Sequence, residues 1–200
     1  VDSKDTSLYV TFLGSDFVAE GKKAGEWVTN EYKDAKEQVS IVQLEGTTGS
    51  APAIDRATGF ADVIKANPNL KVVASQTGDF TRAGGKQVME AMLKSQPKID
   101  LVYAHNDDMG LGAIEAIEAA GKVPGKDIKI VTVDAVHDGM VALTEGKINF
   151  IVECSPLLGA QLIDVIKKLN AGEKVEARIV TNEGTFTQEQ AKEALPNRKY

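Results

Sequence analysis

Along this chain, hydrogen-bonding side chains recur directly after apolar, β-branched runs. Residues 8–13 lead into Gly14-Ser15-Asp16, and residues 39–44 into Glu45-Gly46-Thr47-Thr48-Gly49-Ser50. Residues 70–74 precede Ser75-Gln76-Thr77-Gly78-Asp79-Phe80, and residues 99–104 precede His105-Asn106-Asp107-Asp108. Asp134 follows the run 128–133, and Glu153 ends the run 148–152. Carboxylates and amides hold two hydrogen-bonding positions in one plane, so each can engage two neighbouring hydroxyls at once. A flat aromatic such as Phe80 can cover an apolar C–H face. Singly, an Asp after a strand is an ordinary N-cap or Asx turn. Those local roles do not account for an aromatic, an amide and two carboxylates at one edge, and such a set suits a polyhydroxylated ligand.

Catalytic readings fit less well. Gly46-Thr47-Thr48-Gly49-Ser50 is Gly-rich and opens a helix, but it lacks the Lys-Ser/Thr of a nucleotide loop and the G-x-G-x-x-G of a dinucleotide site. Asp79 with Asp107 has the acid pair of a glycosidase, yet an acid-rich edge is equally what sugar binding needs. No G-x-S-x-G follows a strand, and His105 reads as a hydrogen-bonded wall better than as a general base. One cysteine, Cys154, and two separated histidines, His105 and His137, do not make a metal site, so no metal or cofactor is expected. Cys154 itself reads as a small buried hydrophobe.

The elements that must position these residues alternate strand and helix. The apolar runs are continuous, which is the pattern of strands buried on both faces of a parallel sheet. Between them lie helical faces: Phe17, Gly21, Ala24, Gly25 and Val28; Ile54, Phe60, Ala61 and Ile64; Val88, Met89, Met92 and Leu93; Leu111, Ile114, Ile117 and Ala120; and a stripe over residues 158–169. Ser15 or Asp16 and Thr81 can cap helices, Gly121 and Gly172 sit where helices end, and Pro68, Pro97 and Pro124 fall in helix-to-strand loops. The fold class is α/β: an open, mostly parallel sheet with helices on both faces, a Rossmann-like lobe. In such sheets ligands bind outside the carboxyl ends of the strands, which gathers the polar residues above at one edge.

Composition narrows the partners. Hydrophobic residues are 42% and charged residues 26% of the 200, ordinary for a globular chain. The formal charge of −6, with Lys and Arg scattered, opposes a phosphate backbone, so no nucleic acid is expected. Apolar stretches fall short of the roughly 20 residues a membrane span needs.

The segments Ala53-Ile54-Asp55-Arg56-Ala57-Thr58-Gly59-Phe60, Gly78-Asp79-Phe80-Thr81-Arg82, Tyr103-Ala104-His105-Asn106-Asp107-Asp108-Met109, Val133-Asp134-Ala135-Val136-His137-Asp138 and Val152-Glu153-Cys154-Ser155-Pro156 occur in this order. They resemble the type I periplasmic sugar-binding proteins, within the galactofuranose-binding and ribose-binding group. The resemblance implies ligand contacts at Ser15, Thr47, Arg56, Phe80, Asn106, Asp134 and Glu153. Most already stand on the strand-edge set; Arg56 and Thr47 sharpen it. Glu153 stands where ribose binders carry Gln, which favours a galactofuranose-like sugar over ribose, and Phe17 departs from the usual Asn. Substituting Arg56 or Phe80 is expected to weaken binding with the fold intact.

The resemblance further implies a non-enzymatic solute-binding protein that captures a monosaccharide between two lobes and delivers it to the membrane subunits of an ABC importer. The location implied is the periplasm, or the outer face of a membrane-anchored protein. A sugar-sensing domain of a transcriptional regulator or chemoreceptor system shares the fold and is the alternative. By about 30 residues per βα unit, the family's first lobe would begin roughly 90 to 110 residues upstream. The expected division is therefore residues 1–14 as a first-lobe remnant, 15–152 as the C-terminal lobe, 153–181 as a hinge crossing and first-lobe remnant, and 182–200 as the return to the C-terminal lobe. The apolar stripe over 158–169 is expected to pair with the missing segment or to self-associate.

Overall fold

The computed structural model describes residues 5–200, so the opening four residues of the expected 1–14 segment lie outside the described residues. Parallel strands alternate with helices: β1 (Phe12–Gly14), α1 (Phe17–Glu31), β2 (Val39–Glu45), α2 (Ala51–Ile64), β3 (Leu70–Thr77), α3 (Arg82–Ser95), β4 (Leu101–Ala104), α4 (Asp107–Ala119), β5 (Lys129–Asp134), α5 (His137–Thr144) and β6 (Phe150–Glu153). Then follow α6 (Gly159–Asn170), β7 (Arg178–Val180), β8 (Thr185–Phe186) and α7 (Gln188–Ala194). Side-chain oxygens of Asp16, Ser50, Thr81 and Asn106 each cap the helix that follows by accepting a backbone N–H three residues on. Gly121 and Gly172 adopt φ of 74° and 75° past helix ends, where a Cβ would be strained.

The main sheet has the order β3-β2-β4-β5-β6-β8, parallel except for β8, which runs antiparallel to β6. β1 and β7 form a separate parallel pair, with Gly14 opposite Val180. Successive strand residues feed two cores. Ile41, Tyr103, Val131 and Val152 pack with α1 and α2 on one face. Val42, Leu44, Val102, Ile130 and Ile151 pack with α3, α4, α5 and α7 on the other. This two-sided burial is why these strands read as unbroken apolar runs.

Some expectations change. The run 8–13 is not one strand: Thr6–Leu8 form a 3-10 turn, and only Phe12–Gly14 pair. β3 is an edge strand with most of its residues exposed, so it is not buried on both faces. On α2 the buried face is Ala53, Arg56, Gly59, Phe60 and Ile64, while Ile54 and Ala61 point to solvent. Helix α6 buries Val165 but leaves Leu162, Ile163, Ile166 and Leu169 exposed.

Candidate functional site

The site begins with a close helix contact. A Cβ on Gly21 of α1 would lie 2.2 Å from the Arg56 carbonyl oxygen, and one on Gly59 of α2 would lie 2.1 Å from the Val18 carbonyl oxygen. Only glycine allows that approach, and it sets Glu20 of α1 against Arg56 of α2. Arg56 Nε donates to Glu20 Oε2 at 2.6 Å, Nη1 donates to the His105 carbonyl at 2.5 Å, and Nη2 lies 3.7 Å from Asp134 Oδ1. The guanidinium also faces the rings of Phe17 and Phe80 at 5.4 and 5.9 Å. Arg56 and Glu20 are 4% and 1% exposed, whereas Asp134 keeps 26% of its side chain open.

One cation here serves two carboxylates. Burial raises the Glu20 pKa, against the opposing pull of Arg56. Burial likewise raises that of Asp134, which Arg56 opposes and Asp107 and Glu20 reinforce. Burial would lower the Arg56 pKa, but Glu20 and Asp134 more than offset it, and the guanidinium stays charged. Beneath the edge, His105 is buried and neutral, its pKa pushed down to about 3 by burial and then by Arg56. Neither of its ring nitrogens has a hydrogen-bond partner among the described residues, so it is an apolar-like wall under Arg56 and no general base.

Asp134 sits in a strained loop. Asp134 has φ 124° and Ala135 has φ 66°, a conformation that residues with a side chain rarely adopt. Asp107 holds the loop from below: Thr132 Oγ1 donates to its Oδ1 at 2.5 Å and the Val136 N–H to its Oδ2 at 2.8 Å. Burial pushes the Asp107 pKa up to about 7. Because Asp107 is wholly buried and Asp79 is exposed, the two are no glycosidase pair.

Phe80 follows Asp79, both with positive φ near 57°. Its half-buried ring lies so close over Gly46 that a Cβ there would approach Cζ to 1.8 Å. The Asn106 side chain is spent on structure: its oxygen caps α4 at Met109 N–H and its nitrogen donates to the Phe80 carbonyl at 3.1 Å. Thr47 is exposed in the β2–α2 loop.

At the far end of the edge, Glu153 pairs across the sheet with Asp134. Its Oε1 accepts from Arg198 Nη1 at 2.8 Å and Tyr200 OH at 3.0 Å, and its Oε2 from the Gly184 N–H at 3.0 Å. Burial would raise its pKa, but these donors hold it below the usual glutamate range. Ser15 is buried and turned inward: its Oγ donates to Glu183 Oε1 at 2.6 Å, an oxygen that also accepts from Thr181 Oγ1 at 2.8 Å and Ser155 N–H at 2.9 Å. The segments leaving β1, β6 and β7 are thus tied at one carboxylate. Cys154, expected to be buried, is half-buried there and packs against the core shared by α1 and α2, and burial pushes its thiol up to about 12. Glu20, Cys154 and Glu183 bring one ligand atom each within 4.8 Å of one another. With Arg56 bonded to Glu20 and the thiol protonated, that set is poorly suited to a cation.

Of the seven expected contacts, the structure brings Arg56, Phe80, Asn106 and Asp134 together. Glu153 stands beside Asp134, Ser15 faces the tie at Glu183, and Thr47 lies in the loop above. Sequence reasoning missed Glu20, Glu183, Arg198 and Tyr200. Glu20 carried a signal, since it falls four residues before Ala24 and eight before Val28 on a buried stripe. The other three also bond across 28 to 168 residues, where no local pattern reaches.

The chain is similar in sequence and fold to known proteins. The chain is 67% identical to a crystal structure from Mycobacterium smegmatis in complex with beta-D-fucofuranose, with a TM-score of 0.94 over 98% of this chain and 65% of that one. It is 44% identical, with a TM-score of 0.93, to the periplasmic binding protein component of the arabinose ABC transporter from Shewanella sp. ANA-3, bound to alpha and beta-L-arabinofuranose, over 100% of this chain and 66% of that one. It is 41% identical over 203 residues to the galactofuranose-binding protein YtfQ of Escherichia coli (strain K12), covering 100% of this chain and 63% of that protein. The last two are named as binding proteins, not enzymes, and the chain spans less than two thirds of the length of all three. A family model for the periplasmic binding protein domain matches residues 1–174, and this chain belongs to that family.

Proposed function

We propose that the chain is the larger part of a solute-binding protein that captures a monosaccharide in its furanose form outside the cytoplasm and delivers it to an ABC importer. The observation that carries this reading is the edge itself. Arg56, held rigid by Glu20, sits 3.7 Å from the partly open Asp134 and faces the Phe80 ring. A cation, an acid and an aromatic face at the ends of parallel strands suit adjacent hydroxyls and a C–H face. A relative named for galactofuranose, and similar structures with fucofuranose and arabinofuranose bound, support the ring form. Ser15, Thr47, Asn106 and Glu153 complete the proposed contact set, with Ser15 and Asn106 acting chiefly by fixing the edge.

The six-stranded sheet with its helices is read as one lobe, and β1, β7 and the sparsely buried α6 as parts of the other, with the crossings near residues 14, 153 and 182. The test is calorimetric titration of the full-length protein with D-galactose, D-fucose, L-arabinose and D-ribose, alongside a sugar phosphate. All four sugars contain furanose forms in solution; the first three bind more tightly than D-ribose, because Glu153 stands where ribose binders carry Gln, and the phosphate binds more weakly, because an anion beside Asp134 and Glu153 is opposed in a dry site. Binding of none of these sugars, or preference for the phosphate, refutes the reading.

A further inference from the structure

We propose that Arg198 is a positioning residue that sets the geometry of the two acids at the ligand edge, Asp134 and Glu153, from outside that edge. The inference rests on the reading of the edge as a sugar site. Arg198 Nε donates to the Ala135 carbonyl at 2.6 Å, Nη1 to Glu153 Oε1 at 2.8 Å, and Nη2 to the Tyr200 hydroxyl at 2.5 Å. All three nitrogens are committed to the chain. The side chain is 9% exposed, and the Phe186 and Tyr200 rings lie 5.0 and 4.2 Å from its centre, so its orientation is fixed by packing as well as by hydrogen bonds.

The two acceptors belong to neighbouring crossings of the sheet. Asp134 ends β5, Glu153 ends β6, and the two stand opposite one another in the parallel ladder. Arg198 spans them, taking the carboxylate of one strand and the carbonyl that follows the other. That carbonyl lies in the loop where Asp134 and Ala135 both hold positive φ. Backbone of this kind persists only where its surroundings over-determine it. Here the Asp134 carbonyl accepts from the Cys154 N–H at 3.1 Å, the Val136 N–H is tied to Asp107, which also interacts with the Ala135 backbone, and Arg198 holds the Ala135 carbonyl.

Glu153 is fixed by the same group. With Oε1 taken by Arg198 and Tyr200 and Oε2 by the Gly184 N–H, its carboxylate plane has one orientation. Lysine replaces this arrangement only in part, because a single ammonium keeps the charge but lacks the planar fork that reaches two acceptors in different directions. The contacts lie 45 and 63 residues away in sequence, so the role is invisible to any local pattern.

The experiment compares Arg198→Ala and Arg198→Lys with the parent in the full-length protein. Calorimetry with D-galactose, D-fucose and L-arabinose reads affinity, and deuterium uptake of peptides covering 133–137 reads the loop, with α3 peptides as reference. The expected result is faster uptake at 133–137 and binding weakened by about tenfold in the alanine variant, the equilibrium equivalent of one lost charge-assisted hydrogen bond. The lysine variant shows partial recovery of both. Weaker binding with unchanged uptake would mean that Arg198 meets the sugar directly, and unchanged binding with faster uptake would mean that the loop is irrelevant to the ligand; either overturns the proposal. If the parent binds none of these sugars, the sugar reading fails, and the uptake arm alone decides whether Arg198 clamps the loop. Arg198→Lys, which keeps charge and most of the volume, carries the test if the alanine variant does not fold.

Discussion

Replacing Arg56 with alanine separates the structural role of the buried cluster from any contact with a ligand. The guanidinium lies 2.6 Å from Glu20 Oε2, and both side chains are closed to water. Alanine leaves the Glu20 carboxylate buried without its cation and frees the His105 carbonyl from its short bond. Breaking a buried pair from one side costs about 3–5 kcal/mol. In a chain of 200 residues each kcal/mol moves Tm by about 2–4 °C, so the melting temperature falls by roughly 6–20 °C. The expectation that Arg56 can be removed with the fold intact is revised on this ground. The control is Glu20→Gln with Arg56→Met, which removes both charges at similar volume and recovers most of the loss.

The pH dependence carries a sign. Burial already raises Glu20, and without Arg56 only the weaker Cys154 contact opposes it, while Glu183 adds to the rise. A carboxyl whose folded pKa is raised binds its proton more tightly when folded, so stability is greatest below the ordinary glutamate range and falls as pH climbs towards the folded value. Urea unfolding at stepped pH measures that slope. If the single variant melts within about 2 °C of the parent with the same pH profile, less than 1 kcal/mol is at stake and the reasoning fails.

Other outcomes follow from particular contacts. Phe80→Ala weakens sugar binding by about 1–3 kcal/mol through lost apolar cover, and Gly46→Ala reproduces much of that loss by displacing the ring; calorimetry showing Gly46→Ala equal to the parent removes Phe80 from the site. Asp107, with its pKa pushed to about 7, makes stability fall as pH rises from its ordinary 3.8 to that value, by up to about 1.4 kcal/mol per pH unit. Asp107→Asn flattens this slope in urea unfolding, and an unaltered slope rejects the assignment. The exposed Leu162, Ile163, Ile166 and Leu169 make the isolated 200-residue chain self-associate or take up an upstream segment supplied as a second chain; sedimentation as a clean monomer with no such segment present contradicts this.

The sequence by itself determined the fold class and the central strands of the main sheet, though not the strand order or the antiparallel β8 at its edge. Residues in strands buried on both faces cannot alternate, so β2, β4, β5 and β6 announced themselves as apolar runs, and caps such as Thr81 and terminators such as Gly121 bounded the helices. The rule that ligands meet the carboxyl ends of parallel strands then placed Phe80, Asn106 and Asp134 at one edge. The same reasoning erred where burial is decided by neighbours: β3 is apolar but lies at the sheet's rim, and Ile54 faces solvent while Arg56 faces the core. Only the tertiary structure decided which polar atoms are free. Arg56 pairs with Glu20 because two glycines let the helices touch, and Ser15 and Asn106 bond inward. Glu153 is held by residues 45 and 47 positions away. Secondary structure follows from near neighbours along the chain, whereas the commitment of a charge depends on which distant group the fold brings within hydrogen-bond reach.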